Sequence, residues 1–261
     1  MQLSKGIISF LSFALLVFSA NLCFAQSSKS LVEQMAQQKP SIVGIGLYTP
    51  LESNTPVLRG TGFVVGNGNL IATNYHVVNQ ELSTENVQHY VALSGEGMLP
   101  KVHKLTLIGI DPLHDLALLS IEGTLPALSL ASSDLIAAGN DIHMIGFPIG
   151  LVLGLYPAIH SGIVAAVAPD ANPARNADEL TIQMFKRLKE PFLIYQLDIT
   201  AFPGNSGSPI FKRDSGEVIG VLNKVFVSAG KEAALSNPSG ISYAIPIKYL
   251  KKLASDNDLE L

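Results

Sequence analysis

This 261-residue chain has one cysteine, no tryptophan and few charges: 15% of its residues are charged, against 48% that are hydrophobic. A lone cysteine cannot bridge itself, which excludes a disulfide-stapled scaffold and a cysteine-rich zinc site in a single copy. Basic residues are the scarcer charge, 17 against 21 acidic ones, for a formal net charge of −4. No basic field is left to hold a phosphate backbone, so nucleic acid is not an expected partner. The apolar fraction is too high for a disordered chain, and the length suits one sizeable domain or two small ones.

The cysteine sits at position 23, inside the one long apolar stretch. A positive charge at Lys5, the run GIISFLSFALLVFSA over 6–20, and small residues at Cys23 and Ala25 before polar Gln26 read as a secretory signal peptide, residues 1–25. Two other readings are weaker: the run is short for a membrane span, and bulky Leu22 stands where a lipoprotein signal has a small residue. Cleavage after Ala25 removes Cys23, so no thiol serves as a nucleophile in the exported protein, and no membrane association is expected once the signal has gone.

Beyond residue 40 short apolar runs alternate with glycine-rich turns. Residues 62–65 and 70–73, joined by Gly66-Asn67-Gly68-Asn69, predict a hairpin. Further strands are expected over 104–110, 116–121, 141–147, 161–168, 193–198, 208–211, 217–223 and 241–245, a spacing that implies an all-β barrel or sandwich. Two segments carry helical periodicity. Residues 179–190 line up Ile182, Phe185 and Leu188, and 246–253 begin with a proline and line up Ile247, Leu250 and Leu253.

The chemistry lies in three runs: Thr73-Asn-Tyr-His76-Val-Val, Asp111-Pro-Leu-His-Asp115-Leu-Ala-Leu-Leu, and Phe202-Pro-Gly204-Asn205-Ser206-Gly207-Ser208-Pro209. The last puts a serine in a glycine-flanked bend whose backbone N–H groups can turn inward and hold developing negative charge. A serine hydroxyl needs an imidazole to take its proton, and the imidazole needs a carboxylate to fix its tautomer. His76, Asp115 and Ser206 supply these groups. Two absences then fix the order. No histidine follows His160, which excludes the α/β-hydrolase order for Ser206, and no aspartate precedes Asp111, which excludes the subtilisin order for His76. His, then Asp, then Ser remains, the chymotrypsin-like order. Asp111 and His114 read as surface-loop residues, and no second ligand pair supports a metal; His89, His103 and His143 read as solvated or locally satisfied. No cofactor is implied.

These runs, together with Gly60-Thr-Gly-Phe-Val-Val, Ile145-Gly-Phe-Pro-Ile-Gly, His160-Ser-Gly-Ile-Val, Gly216-Glu-Val-Ile-Gly220 and Gly240-Ile-Ser-Tyr-Ala-Ile-Pro, resemble the HtrA/Deg branch of chymotrypsin-like serine proteases from about residue 42 to 253. The resemblance implies an all-β fold of two perpendicular six-stranded antiparallel β-barrels with a C-terminal helix. Residues 26–41 would be an N-terminal segment, 42–130 the first barrel with His76 and Asp115, 131–253 the second with Ser206, and 254–261 a tail. It further implies an oxyanion hole from the backbone N–H groups of Gly204 and Ser206, polypeptide substrates, and a pocket for small or medium apolar side chains walled by Thr200, Ala201, Phe202, Val221 and Leu222. Substrate backbone is expected to add along 221–224.

The departures carry information too. Ser208 and the Thr-Asn-x-His-Val-Val run are also similar to the glutamyl-endopeptidase group, but Leu222 stands where that group has the histidine that reads an acidic side chain. Asn205 replaces the aspartate that pairs with a new N-terminus in pancreatic-type enzymes, so no zymogen step of that kind is expected. Phe202 replaces a common asparagine, which leaves the resting shape of the serine loop open. The loop over 168–191 stands where the family has a sensor loop that orders the active site. PDZ regulation is not expected, since the sequence given stops after the barrel helix. The family forms trimers through its N-terminal segment, but residues 30–41 lack aromatic anchors, so the oligomeric state stays open. The rival readings are a protease-fold binding protein with a gated or silent site, and a secreted esterase using the same triad.

Overall fold

The structure, a computed structural model, describes residues 30–148, 154–170, 191–225 and 240–261. The signal peptide and the loop helix expected over 179–190 lie outside the described residues. The chain opens with α1 (Leu31–Gln38), followed by a 3-10 turn (Lys39–Ser41). Next come β1 (Ile42–Tyr48), β2 (Val57–Val65), β3 (Leu70–Thr73), β4 (His89–Ser94), β5 (Lys101–Lys104), β6 (Thr106–Asp111) and β7 (Leu116–Ser120). They form one antiparallel sheet in the order β5-β4-β1-β2-β3-β7-β6.

The expected first barrel takes a particular form here. The two edges of the sheet, β5 and β6, are successive stretches of chain separated only by Leu105. Leu105 is buried and donates its N–H to Tyr90 C=O at 3.0 Å, which bends the chain so that β5 pairs with β4 and β6 with β7. One bent strand therefore serves both edges and leaves the sheet closed by its own chain, seven strands by hydrogen bonding and six by continuity.

The second unit holds β8 (Asp141–Gly146), β9 (Ala158–Pro169), β10 (Leu193–Asp198), β11 (Pro209–Lys212), β12 (Val218–Val225) and β13 (Ile241–Pro246), closed in the order β10-β13-β12-β11-β8-β9. It ends in α2 (Ile247–Ser255), whose Ile247, Leu250 and Leu253 are buried at the predicted three-residue spacing after Pro246.

Strand periodicity divides the core in three. Val43, Ile45, Val64, Ile71 and Leu119 fill the first barrel, and Ile142, Met144, Val164, Leu197 and Ala244 fill the second. Their chain neighbours Ile42, Phe63, Val65, Ala72, Leu118 and Ile245 face the other way, into a third cluster that joins both units to Leu250 and Leu253 of α2. With both faces covered, these strands read as continuous apolar runs rather than alternating ones.

The N-terminal segment, for which no element was expected, holds a helix docked on the second barrel. Ser30 caps α1 in a reciprocal capping box with Glu33. Gln34 and Gln38, one turn apart, then bond the β11–β12 turn: Gln34 Nε2 donates to Arg213 C=O at 2.8 Å and Gln38 Nε2 to Gly216 C=O at 3.1 Å. The reading of His143 as solvated or locally satisfied is also overturned. It is fully buried, stacked on Phe211, and donates Nε2–H to Gln38 Oε1 at 2.8 Å.

Candidate active site

β3 ends at Thr73, and the 3-10 turn Tyr75–Val77 that follows presents His76. Asp115 comes from the turn between β6 and β7. Asp111 builds that turn by accepting the N–H groups of Leu113 and His114 on Oδ1, both at 3.1 Å, an Asx arrangement. Asp115 itself is left-handed, with φ +55°, a conformation that aspartate tolerates better than most residues. Its C=O accepts from Tyr75 N–H and from Asn74 Nδ2, each at 3.1 Å, which ties the two turns together.

The Asp115 carboxylate then meets three donors. Oδ1 accepts His76 N–H at 2.8 Å, while Oδ2 lies 2.6 Å from His76 Nδ1 and 2.6 Å from Asn223 Nδ2. A carboxylate only accepts, so the imidazole proton sits on Nδ1 and leaves Nε2 free to take another. The His76 side chain is 44% exposed and that of Asp115 15%, so the base faces solvent while its carboxylate is sheltered.

Ser206 is held on the other side of Gly60. A side chain on Gly60 would meet Val77, the neighbour of His76, at 2.8 Å and the Ser206 C=O at 2.9 Å, so the histidine turn and the serine loop close on one bare backbone position. Thr61 N–H donates to Ser206 C=O at 2.8 Å and Thr61 Oγ1 donates to Gly204 C=O at 2.8 Å. Gly207, at φ +86°, leaves room for the Thr61 carbonyl where a Cβ would collide with it.

The loop before the serine closes through Asn205 N–H to Phe202 C=O at 3.0 Å, with Pro203 second and Gly204 third at φ +99°. Proline followed by a positive-φ glycine is the type II form of this turn, and it settles the resting shape that Phe202 left open. Among the described residues the N–H groups of Gly204 and Ser206 have no acceptor, and Ser206 Oγ makes no hydrogen bond. Backbone donors without partners in a glycine-rich bend are what an anion site needs.

Residues 60–221, which include His76, Asp115 and Ser206, match the family model described as a trypsin-like peptidase domain. The chain belongs to the trypsin-like peptidase family. A "periplasmic serine endoprotease DegP-like" protein of Halomonas elongata is 32% identical over 189 residues, covering 72% of this chain and 32% of that one. Its counterpart in Pseudomonas fulva is 32% identical over 196 residues, covering 75% and 34%. The chain thus spans about a third of the length of the curated relatives it matches. Among solved structures, the serine endoprotease of Yersinia pestis superposes with a TM-score of 0.61 at 22% identity, covering 88% of this chain and 66% of that one. The HtrA-type protease AlgW, solved with a tripeptide, gives 0.62 at 24%, covering 89% and 64%. These structural likenesses establish the fold of this peptidase domain.

The domain treats the expected pocket residues unequally. Thr200 and Phe202 are half-buried beside the serine loop, and Ala201 and Leu222 are buried with the core of the second barrel. Val221 does not line an open pocket. It has no exposed surface and packs into the shared core with Phe211 and Ile245, because neighbouring residues of a strand point to opposite faces. Asp111 and His114 are likewise not surface-loop residues. Their side chains pair at 2.5 Å, and the His114 ring stacks on Tyr249 of α2 and meets Phe192 edge-on. Burial pushes the Asp111 carboxyl up, but the His114 bonds outweigh it and hold the group below its usual range. Asn223 and Thr61 were not singled out from the sequence. An asparagine beside Lys224 at the end of an apolar strand, 108 positions from its carboxylate, gives no local signal of its role.

Proposed function

We propose that this peptidase domain is a serine endopeptidase of the HtrA/Deg type, acting on exported polypeptides in the periplasm or outside the cell. The observation that carries the reading is the Asp115 carboxylate shared by His76 and Asn223, with the histidine turn and the Ser206 loop closing on Gly60. In the proposed cycle Ser206 Oγ attacks the scissile carbonyl while His76 Nε2 takes its proton. Asp115 stabilises the imidazolium, and the N–H groups of Gly204 and Ser206 receive the oxyanion. His76 then protonates the leaving amine, and water repeats the sequence to free the acyl group.

Substrate backbone has a strand edge available. β12 is bonded on one side to Ser208 and Gly207 only as far as Leu222; among the described residues Asn223 onward has no strand on that side. An extended peptide adding there would run past Ser206. Thr200, Phe202 and the apolar second-barrel wall favour small or medium apolar side chains before the cut. Turnover of β-casein and of internally quenched peptides carrying Val, Ala, Glu or Lys before the cut tests the reading. Hydrolysis that prefers Val and Ala and is lost in Ser206→Ala supports it. Absence of hydrolysis by the wild-type protein points instead to a protease-fold binding protein.

A further inference from the structure

Thr61 is fully buried, yet all of its polar atoms are engaged, and two of its four bonds go to the serine loop. Its N–H donates to Ser206 C=O, and its C=O accepts from Thr73 Oγ1 at 2.7 Å. Its hydroxyl oxygen accepts Phe147 N–H, at the end of β8, at 3.1 Å. An N–H gives that oxygen no hydrogen to share, so the single hydroxyl hydrogen goes to Gly204 C=O at 2.8 Å. The fit leaves no slack. A Cβ on Gly146 would lie 3.2 Å from Thr61 Oγ1 and 2.8 Å from Asn205 Oδ1.

The type II turn over Phe202 to Asn205 differs from its type I alternative by a flip of the peptide between Pro203 and Gly204. That peptide carries the Gly204 N–H. The flip pivots against the next peptide, Gly204–Asn205, which is held on both sides: its N–H donates to Phe202 C=O and its C=O accepts the Thr61 hydroxyl. Without the hydroxyl, the Gly204 carbonyl loses its partner at a partly buried position, and the turn gains a reason to rotate toward another donor.

We propose that Thr61 is a positioning residue for the oxyanion site: its hydroxyl, oriented by Phe147 N–H, holds the Gly204 N–H in the direction that receives negative charge. The inference rests on the serine-peptidase reading above. It assigns Thr61 no contact with substrate.

Thr61→Ser and Thr61→Ala differ from each other by one oxygen atom, and Thr61→Val is the isostere without the hydroxyl. With an internally quenched peptide carrying valine before the cut, kcat falls roughly 10- to 100-fold in the Ala and Val variants and stays within about threefold of wild type in the Ser variant, with KM little changed. The affinity of a tripeptide aldehyde ending in valinal, which forms a tetrahedral adduct, falls in parallel with kcat/KM. The acid limb of the pH–rate profile does not move, because His76 and Asp115 are untouched. Should Thr61→Val not fold, the Ser and Ala pair makes the same comparison. Equal kcat in the Ser and Ala variants, a loss confined to KM, or unchanged aldehyde affinity overturns the inference while leaving the peptidase reading standing. A wild-type protein that neither cleaves peptides nor binds the aldehyde overturns both.

Discussion

Asp115 occupies a left-handed backbone position and still accepts three hydrogen bonds on its carboxylate, two from His76 and one from Asn223. Charged hydrogen bonds of this kind are worth about 1.5–3 kcal/mol each. Asn223→Ala is therefore expected to lower kcat roughly 10- to 100-fold while leaving the fold intact, measured on the same quenched peptide; an unchanged kcat would show that Asp115 needs only His76. Gly207→Ala belongs to a different class. Its Cβ would enter the Thr61 carbonyl at φ +86°, and the expected result is a failure to accumulate folded protein, seen by circular dichroism. The three positions proposed as a triad could be singled out in the sequence because their residue types, flanking glycines and chain order are chemical signals. Asn223 and Thr61 could not, because their roles exist only once β12 and β2 are brought to the turns carrying Asp115 and Ser206.

At the scale of elements, the hairpin over 62–73 and the strands of the second barrel were readable from short apolar runs and turn glycines. β1, β4 and β5 were missed: glycines interrupt the first, His89 begins the second, and Lys101, His103 and Lys104 dominate the third, so the apolar pattern was broken or masked. The bend at Leu105 is likewise invisible: it falls inside the strand expected over 104–110, next to a β5 that was not expected. α1 carried a signal in the Ser30 to Glu33 capping box, but its anchoring glutamines resemble a solvated face rather than a docked one. Its partner His143 yields a pH prediction. Burial, aided by the Arg213 charge, lowers the His143 pKa to about 4 from 6.5, and among the described residues its Nδ1 has no acceptor for a second proton. The folded state thus resists a proton that the unfolded chain takes up near pH 6.5. Stability is complete above that pH and falls by about 3 kcal/mol as pH drops toward 4. Urea unfolding at pH 7 and pH 4.5 should show a smaller difference in His143→Phe than in the wild-type protein; equal differences would mean that another group carries the effect.

Across the whole molecule, the two barrels are joined by an apolar cluster to which both contribute and which α2 covers. A shared core predicts shared unfolding. Leu250→Ala, at a fully buried position, is expected to cost about 2–5 kcal/mol and to lower the midpoints of far-ultraviolet circular dichroism and of peptide hydrolysis together. Separate transitions would mean that the barrels are independent. The chain has no tryptophan, so its seven tyrosines are the natural fluorescence probe. The scarcity of cysteine acquires its meaning at this scale as well. After Cys23 the sequence has no thiol, and the packed cluster does the work that disulfides do in many exported proteins. The central claim is that Ser206 is a nucleophile activated by His76, and the most direct test is mass spectrometry of the intact protein after exposure to a fluorophosphonate. One adduct, mapped to the peptide holding Ser206 and lost in both Ser206→Ala and His76→Ala, is the predicted result. No adduct on the folded wild-type protein, or an adduct that survives in His76→Ala at the wild-type rate, would contradict it.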